Sequence, residues 1–249
     1  MEIHDQPWCP ASLRDALTDN LQFYLDLGNH YGVVAPLLSA ALARTGARRV
    51  VDLCSGGGGP WRRLHQTLDG AGVVLTDKYP NRAALERVTA GTDGRIGFSL
   101  ESVDAQRVPQ EFEGFRTLFT SFHHFPPALA RAILEDAVRA GQGIGVFEVN
   151  ARRLAAILTA ALVPLLVLLS APFIRPFRWS RIVWTYLVPV LPVVATVDAV
   201  VSCLRTYTPD ELRALAGAVP GAASYEWTAG EVPTRLSPVP ITYLLGVPK

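Results

Sequence analysis

The rhythm of apolar and polar positions changes several times along the chain. Residues 12–27 carry apolar side chains at helical spacing, with Ser12 placed to cap the start and Asp15 three positions on. Residues 33–44 predict a second helix, ended at Thr45-Gly46. From residue 48 short apolar runs alternate with helical patterns. Strands are predicted at 48–54, 72–77, 95–101, 115–122 and 143–149, and helices at 60–68, 80–90 (Pro80 in its first turn) and 126–140. Five strands alternating with helices predict an α/β fold with a parallel sheet covered on both faces. After a helix at 208–219, with Thr208 and Glu211 spaced for a capping box, two more strand-like runs at 224–232 and 241–248 complete a seven-stranded, mostly parallel sheet.

The pattern breaks at residue 151. Residues 154–174 contain no charged side chain, Arg175, Arg178 and Arg181 follow, and 182–197 is again apolar. The first run is long enough to span a bilayer, but one crossing would separate the last two strands from their sheet. Three readings stay open: a helical insertion lying in a membrane interface, with Arg175, Arg178, Arg181, Trp179 and Trp184 at headgroup level; a lid over a pocket for an apolar ligand; or a membrane hairpin. The domain reading follows: N-terminal cap helices at 1–46, a ligand-binding α/β core at 47–150, the apolar insertion at 151–204, and completion of the sheet at 205–249.

Composition narrows the classes. Hydrophobic residues make up 49% of the 249, against 18% charged, and mean hydropathy is +0.23. That excess is concentrated in the insertion. A formal net charge of +1 offers no basic footprint for nucleic acid. Cys9, Cys54 and Cys203 form no CxxC pair and are odd in number; they predict reduced thiols in a cytoplasmic protein and no metal site. The first fifteen residues lack a basic stretch followed by an apolar one, so no signal peptide is expected.

The chemistry concentrates in VDLCSGGGGPW at 51–61. Four consecutive glycines cost ordering entropy unless backbone must pass close to something bulky, and this turn sits at the exit of the first strand, where open parallel sheets bind ligands. A nicotinamide-binding fingerprint needs a third glycine where Trp61 stands, and has no use for Asp52 at the strand end. A run of Asp52, Cys54, Gly56 and Gly58 resembles the (D/E)xGxGxG motif of class I S-adenosylmethionine-dependent methyltransferases, in the variant with cysteine at the first glycine that is similar to quinone-biosynthesis enzymes.

That resemblance implies a Rossmann-like methyltransferase fold, S-adenosylmethionine as cofactor, and several site residues. Asp52, Cys54, Gly56 and Gly58 would meet the methionine end, Asp77 the ribose hydroxyls, Asp104 and Ala105 the adenine, and Ser121 would lie beside the sulfonium. Asp77 and Asp104 also suit ordinary turns after strands. His123 and His124 follow the fourth strand and are candidates for a catalytic base, imidazole being suited to proton transfer near neutral pH. Glu148 and Asn150 at the fifth strand's end, with Tyr31, are candidates to line the substrate, and the resemblance implies that the cap helices carrying Tyr24, His30 and Tyr31 cover the cofactor. The function this implies is methyl transfer to a small hydrophobic or lipid-like acceptor, in a cytoplasmic protein with membrane-surface contact through 154–197 left open. Two other classes remain: a catalytically inactive, membrane-associated binding protein that keeps the fold, and a nicotinamide-dependent oxidoreductase.

Overall fold

The computed structural model describes every residue except Met1, His4, Asp5, Pro7, Asp69, Arg235 and Leu236. Its frame is one sheet built from β1 (Arg49–Asp52), β2 (Gly72–Asp77), β3 (Ile96–Ser102), β4 (Phe115–Phe119), β5 (Ile144–Glu148), β6 (Tyr225–Val232) and β7 (Ile241–Pro248). The spatial order is β3-β2-β1-β4-β5-β7-β6. The first five strands pair in parallel, and β7 runs antiparallel to both neighbours. The order reverses between β1 and β4, so their carboxyl ends open a crevice at that switch point.

Side-chain alternation along the strands supplies two cores. Val50, Phe115, Phe119, Phe147 and Leu245 face one side, under α2 (Ala35–Thr45), α3 (Trp61–Leu64) and α4 (Arg82–Thr89). Val51, Leu118, Val146 and Leu244 face the other, under α5 (Pro127–Arg139) and α10 (Pro209–Gly217). A third, smaller core joins α1 (Ala11–Gly28) to the insertion through Leu13, Ala16, Val167, Leu191 and Val194.

Several expected boundaries move, each for a local reason. Ser12 is not the cap of α1: the helix starts after Pro10, and Ser12 Oγ instead accepts the indole N–H of Trp184 at 3.1 Å. Asn81, rather than Pro80, opens α4, its side chain accepting from the Ala84 amide. The helix expected at 60–68 is only α3 followed by a 3-10 turn. The fourth strand stops at Phe119, because Thr120 takes a left-handed φ of 48° and Phe122–His124 forms a 3-10 turn. The capping box is present as expected: Thr208 Oγ1 accepts from the Glu211 amide and the Glu211 carboxylate from the Thr208 amide. Thr208→Ala is expected to cost about 1 kcal/mol, lowering the thermal midpoint by roughly 2–4 °C in a calorimetric scan.

The insertion is four helices. Pro164 has no N–H to continue α6 (Leu154–Ala160), so α7 (Val163–Ser170) starts afresh. Then come α8 (Trp179–Ile182), a π turn over Val183–Leu187, and α9 (Val190–Arg205). No single helix among the described residues is long and apolar enough to cross a membrane, and the one consecutive pair that reaches that length is bent by 85°. Of the side chains expected at headgroup level, only Arg175 and Trp179 face solvent. Trp184 is partly buried, and Asp19 on α1 draws the other two arginines inward: Arg178 Nε and Arg181 Nη1 each lie 3.0 Å from Asp19 Oδ2.

Candidate functional site

At the exit of β1 the chain makes the turn that the four glycines permit. Cys54 adopts a left-handed conformation, φ 57°, in the region that favours glycine. Gly56 and Gly58 follow with φ of 51° and 102°. A Cβ on Gly58 would stand 2.3 Å from Val88 Cγ2, so α4 packs directly on the turn, whereas a Cβ on Gly56 would meet nothing within 4 Å. The turn is therefore pinned from below and open at Gly56. From the side, α1 closes it: Gln22 Nε2 donates to the Gly59 carbonyl at 2.8 Å, and Thr18 and Gln22 lie against Gly57.

Asp52 is fully buried beneath the turn rather than facing a ligand. Its carboxylate accepts from Ser55 Oγ at 2.6 Å and Thr117 Oγ1 at 2.7 Å. Burial pushes its pKa up to about 7 against those hydrogen bonds. The expected contact of Asp52 with the methionine end is thus corrected: Asp52 braces the loop through hydroxyls. Asp77, at the end of β2, accepts the Gly56 amide on Oδ2 and the Tyr79 amide on Oδ1, both at 2.8 Å. Each oxygen keeps acceptor capacity, so Asp77 both aims the turn and retains a face for hydroxyls. Asp104 is bound by Lys78 Nζ at 2.7 Å and by the Gln106 amide at 3.0 Å; burial opposes ionisation, and these contacts outweigh it and hold the carboxyl below its ordinary value. Ala105 is in the core and offers no side chain to a ligand. Ser121 is buried and its Oγ has no hydrogen-bond partner.

Beyond this crevice a cavity of about 360 Å³ lies between α1, the strand ends and the insertion, lined among others by Tyr24, Thr120, His123, His124, Asn150 and Ala160. It brings together the expected residues His123, His124 and Asn150, but not Tyr31, Glu148 or His30. Tyr31 is an anchor instead. Its hydroxyl is bonded to Thr120 Oγ1 and donates to the Phe147 carbonyl at 3.2 Å, and burial pushes its pKa far up.

His123 is not a free base. Its Nδ1 lies 2.7 Å from Glu148 Oε2 and its Nε2 3.3 Å from Glu2 Oε1, with all three side chains buried. Burial pulls its pKa down, but the charges and hydrogen bonds of Glu148 and Glu2 outweigh that and hold it at about 10. An imidazolium so placed keeps its proton at neutral pH, which corrects the expectation of base catalysis there and assigns Glu148 to this ion triad rather than to substrate. Ligand-type atoms of Glu2, His123 and His124 lie within 4.8 Å of one another, so a metal ion would compete with the proton on His123. The His124 ring is partly exposed on the cavity wall.

The sequence pattern did not single out Glu2 or Asn20. Glu2 lies in an aperiodic stretch, and Asn20 reads as one polar residue on an amphipathic helix. In the fold Asn20 is buried at the cavity, its Nδ2 donating to the Ala16 carbonyl while Oδ1 has no partner.

No family model matches the chain, and no curated protein matches it. Solved structures match it by shape. An O-methyltransferase of neocarzinostatin biosynthesis, in complex with S-adenosylmethionine and 2-hydroxy-5-methyl naphthoic acid, superposes with a TM-score of 0.57 at 16% identity, over 96% of this chain and 59% of its own. A putative O-methyltransferase from Nostoc punctiforme gives 0.54 at 16%, over 99% and 62%. A protein from Rhodobacter sphaeroides described as a putative zinc-dependent alcohol dehydrogenase gives 0.54 at 15%, over 96% and 98%. The chain thus spans about three fifths of the two O-methyltransferases, and at these identities the likeness is one of fold. Its sheet order and single reversed strand, with these neighbours, give it the Rossmann-like fold that class I methyltransferases share.

Proposed function

We propose that this chain transfers a methyl group from S-adenosylmethionine to a small, hydrophobic acceptor held in the cavity between α1 and the insertion. The observation that carries this reading is the turn after β1: Gly56 is open to a ligand while its amide is tied to Asp77 at the end of β2. Gly56 and Gly58 would take the methionine end, Asp77 the ribose and Asp104 the adenine, with the unpartnered Ser121 Oγ as a further donor beside them. When bound, the cofactor supplies an electrophilic methyl group on a sulfonium.

The chain's own contribution is alignment and dryness. Tyr24, Ala160 and their neighbours hold an apolar acceptor, and Asn20 Oδ1 offers a buried acceptor for its hydroxyl or amine proton. His124 stands on the cavity wall with its Nε2 3.8 Å from Glu2 Oε2 and is the remaining candidate to receive the acceptor's proton. The naphthoic acid bound by the neocarzinostatin enzyme is of the size and apolar character that such a cavity suits. A catalytically inactive binding protein is not favoured, because the tethers of the glycine turn are intact. A nicotinamide enzyme is opposed by Trp61 in the place of the third glycine.

Calorimetric titration with S-adenosylhomocysteine tests the reading. Wild type is expected to bind in the micromolar range, and Asp77→Ala at least about tenfold more weakly, since a charged acceptor and the tether of Gly56 are both lost. A folded wild-type protein that releases no heat and shows no competition by the methyl donor would sink it.

A further inference from the structure

We infer that the apolar face of residues 154–197 docks on an anionic phospholipid bilayer and sets the mouth of the cavity against the hydrocarbon, so that the acceptor enters from the membrane. Exposure is the first ground. Leu169 is 62% exposed, Phe173 71%, Trp179 75% and Leu187 77%, and α7 buries only Val167 and Ser170 of its eight residues. Large apolar side chains exposed in this number along one segment mark an interaction surface.

The second ground is how the 171–178 loop is built. Phe173, Arg175, Phe177 and Trp179 alternate outward, while Ile174 is buried and Arg178 turns in to Asp15 and Asp19. Beneath the loop, the buried Arg181 donates to the carbonyls of Ala171, Ile174 and Pro176 at 3.2, 2.6 and 2.6 Å. The tip is thus a supported row of aromatics around one outward arginine, the composition that sits at the headgroup level of a bilayer.

Charge selects the occupant. No aspartate or glutamate occurs from 154 to 197, and Arg175 is exposed without an ion pair among the described residues. Lipid phosphates complement it. A second copy docked face to face would bring the same patch, which holds no carboxylate to meet Arg175. Among the described residues no single helix is long and apolar enough to cross, and the one pair that reaches that length is bent by 85°; the inferred docking is in the interface plane. Leu166 on α7 and Leu21 on the adjoining α1 both line the cavity and are exposed, so the cavity opens at the border between this face and α1.

The docking stands on its own, whereas the membrane as source of the acceptor rests on the methyl-transfer reading. Flotation of the full chain with phosphatidylcholine vesicles, with and without phosphatidylglycerol, tests the docking without cofactor. Wild type is expected to float with anionic vesicles. Arg175→Glu should weaken that about tenfold, and Phe173→Ala with Trp179→Ala at least about tenfold on either vesicle, all with unchanged circular dichroism. A folded wild type that stays unbound on both vesicles overturns the inference. So does a lipid-free dimer, seen by analytical ultracentrifugation, that Phe173→Ala with Trp179→Ala dissociates, since a second copy would then own the face. Because the homocysteine titration reads the glycine turn separately, failure of one reading is distinguishable from failure of the other.

Discussion

Asp19→Ala is expected to lower stability by about 3–5 kcal/mol, the usual result of leaving buried charge without its partner. The corresponding fall in thermal midpoint is roughly 6–20 °C for a chain of this size. The Asp19 carboxylate holds Arg178 and the fully buried Arg181 and approaches Arg87 at 3.5 Å. Burial pushes the Asp19 pKa up and that of Arg181 down, with the mutual attraction only partly offsetting it. The intact pair therefore adds little net stability, while half of it is strongly destabilising. Joint replacement, Asp19→Leu with Arg181→Met, should recover much of the loss in a double-mutant cycle. A midpoint for Asp19→Ala equal to that of wild type would show that the insertion does not pack on α1 as described.

The second large effect is a stability that declines in alkaline solution through His123. Its pKa is held at about 10 in the fold against about 6.5 for free imidazole, so the folded chain keeps a proton that the unfolded chain releases. The stabilisation is complete below pH 6.5, shrinks as pH rises from there, and is gone once pH passes about 10. His123→Gln removes it, so wild type and variant should differ most at neutral and lower pH and converge toward pH 10. Urea midpoints measured across this range check it. Parallel curves for the two proteins would mean that Glu2 and Glu148 do not hold a charged ring.

Much of this fold was legible because period and punctuation agreed. The strand expected at 143–149 is an apolar run interrupted only by Glu148, and Thr208 with Glu211 announces its helix. What the pattern could not carry was partnership over long sequence separation. Arg116 interrupts an apolar strand, and only the fold reveals Asp136 at 2.6 Å from it. The adjacent histidines read as a base because imidazole suits that task. Nothing local disclosed that Glu2, 121 positions away in sequence from His123, would turn one of them into a buried cation. The glycine turn was readable as a ligand loop, but the direction of Asp52 was not, since burial is a property of the packed sheet. The insertion's apolar character was plain, whereas the inward turn of Arg178 and Arg181 depended on Asp19, which looks like an ordinary surface residue of an amphipathic helix.

One helix touches everything that matters here. On one side of α1, Thr18 and Gln22 rest on the glycine turn; on another, Asp19 and Tyr24 hold the insertion, the Tyr24 hydroxyl 2.7 Å from Ser170 Oγ. Both the turn and the insertion therefore bear on the same helix, and any coupling that α1 carries between them is reciprocal. Any factor by which a lipid surface tightens a ligand on Gly56–Gly59 is the same factor by which that ligand tightens the chain on the lipid.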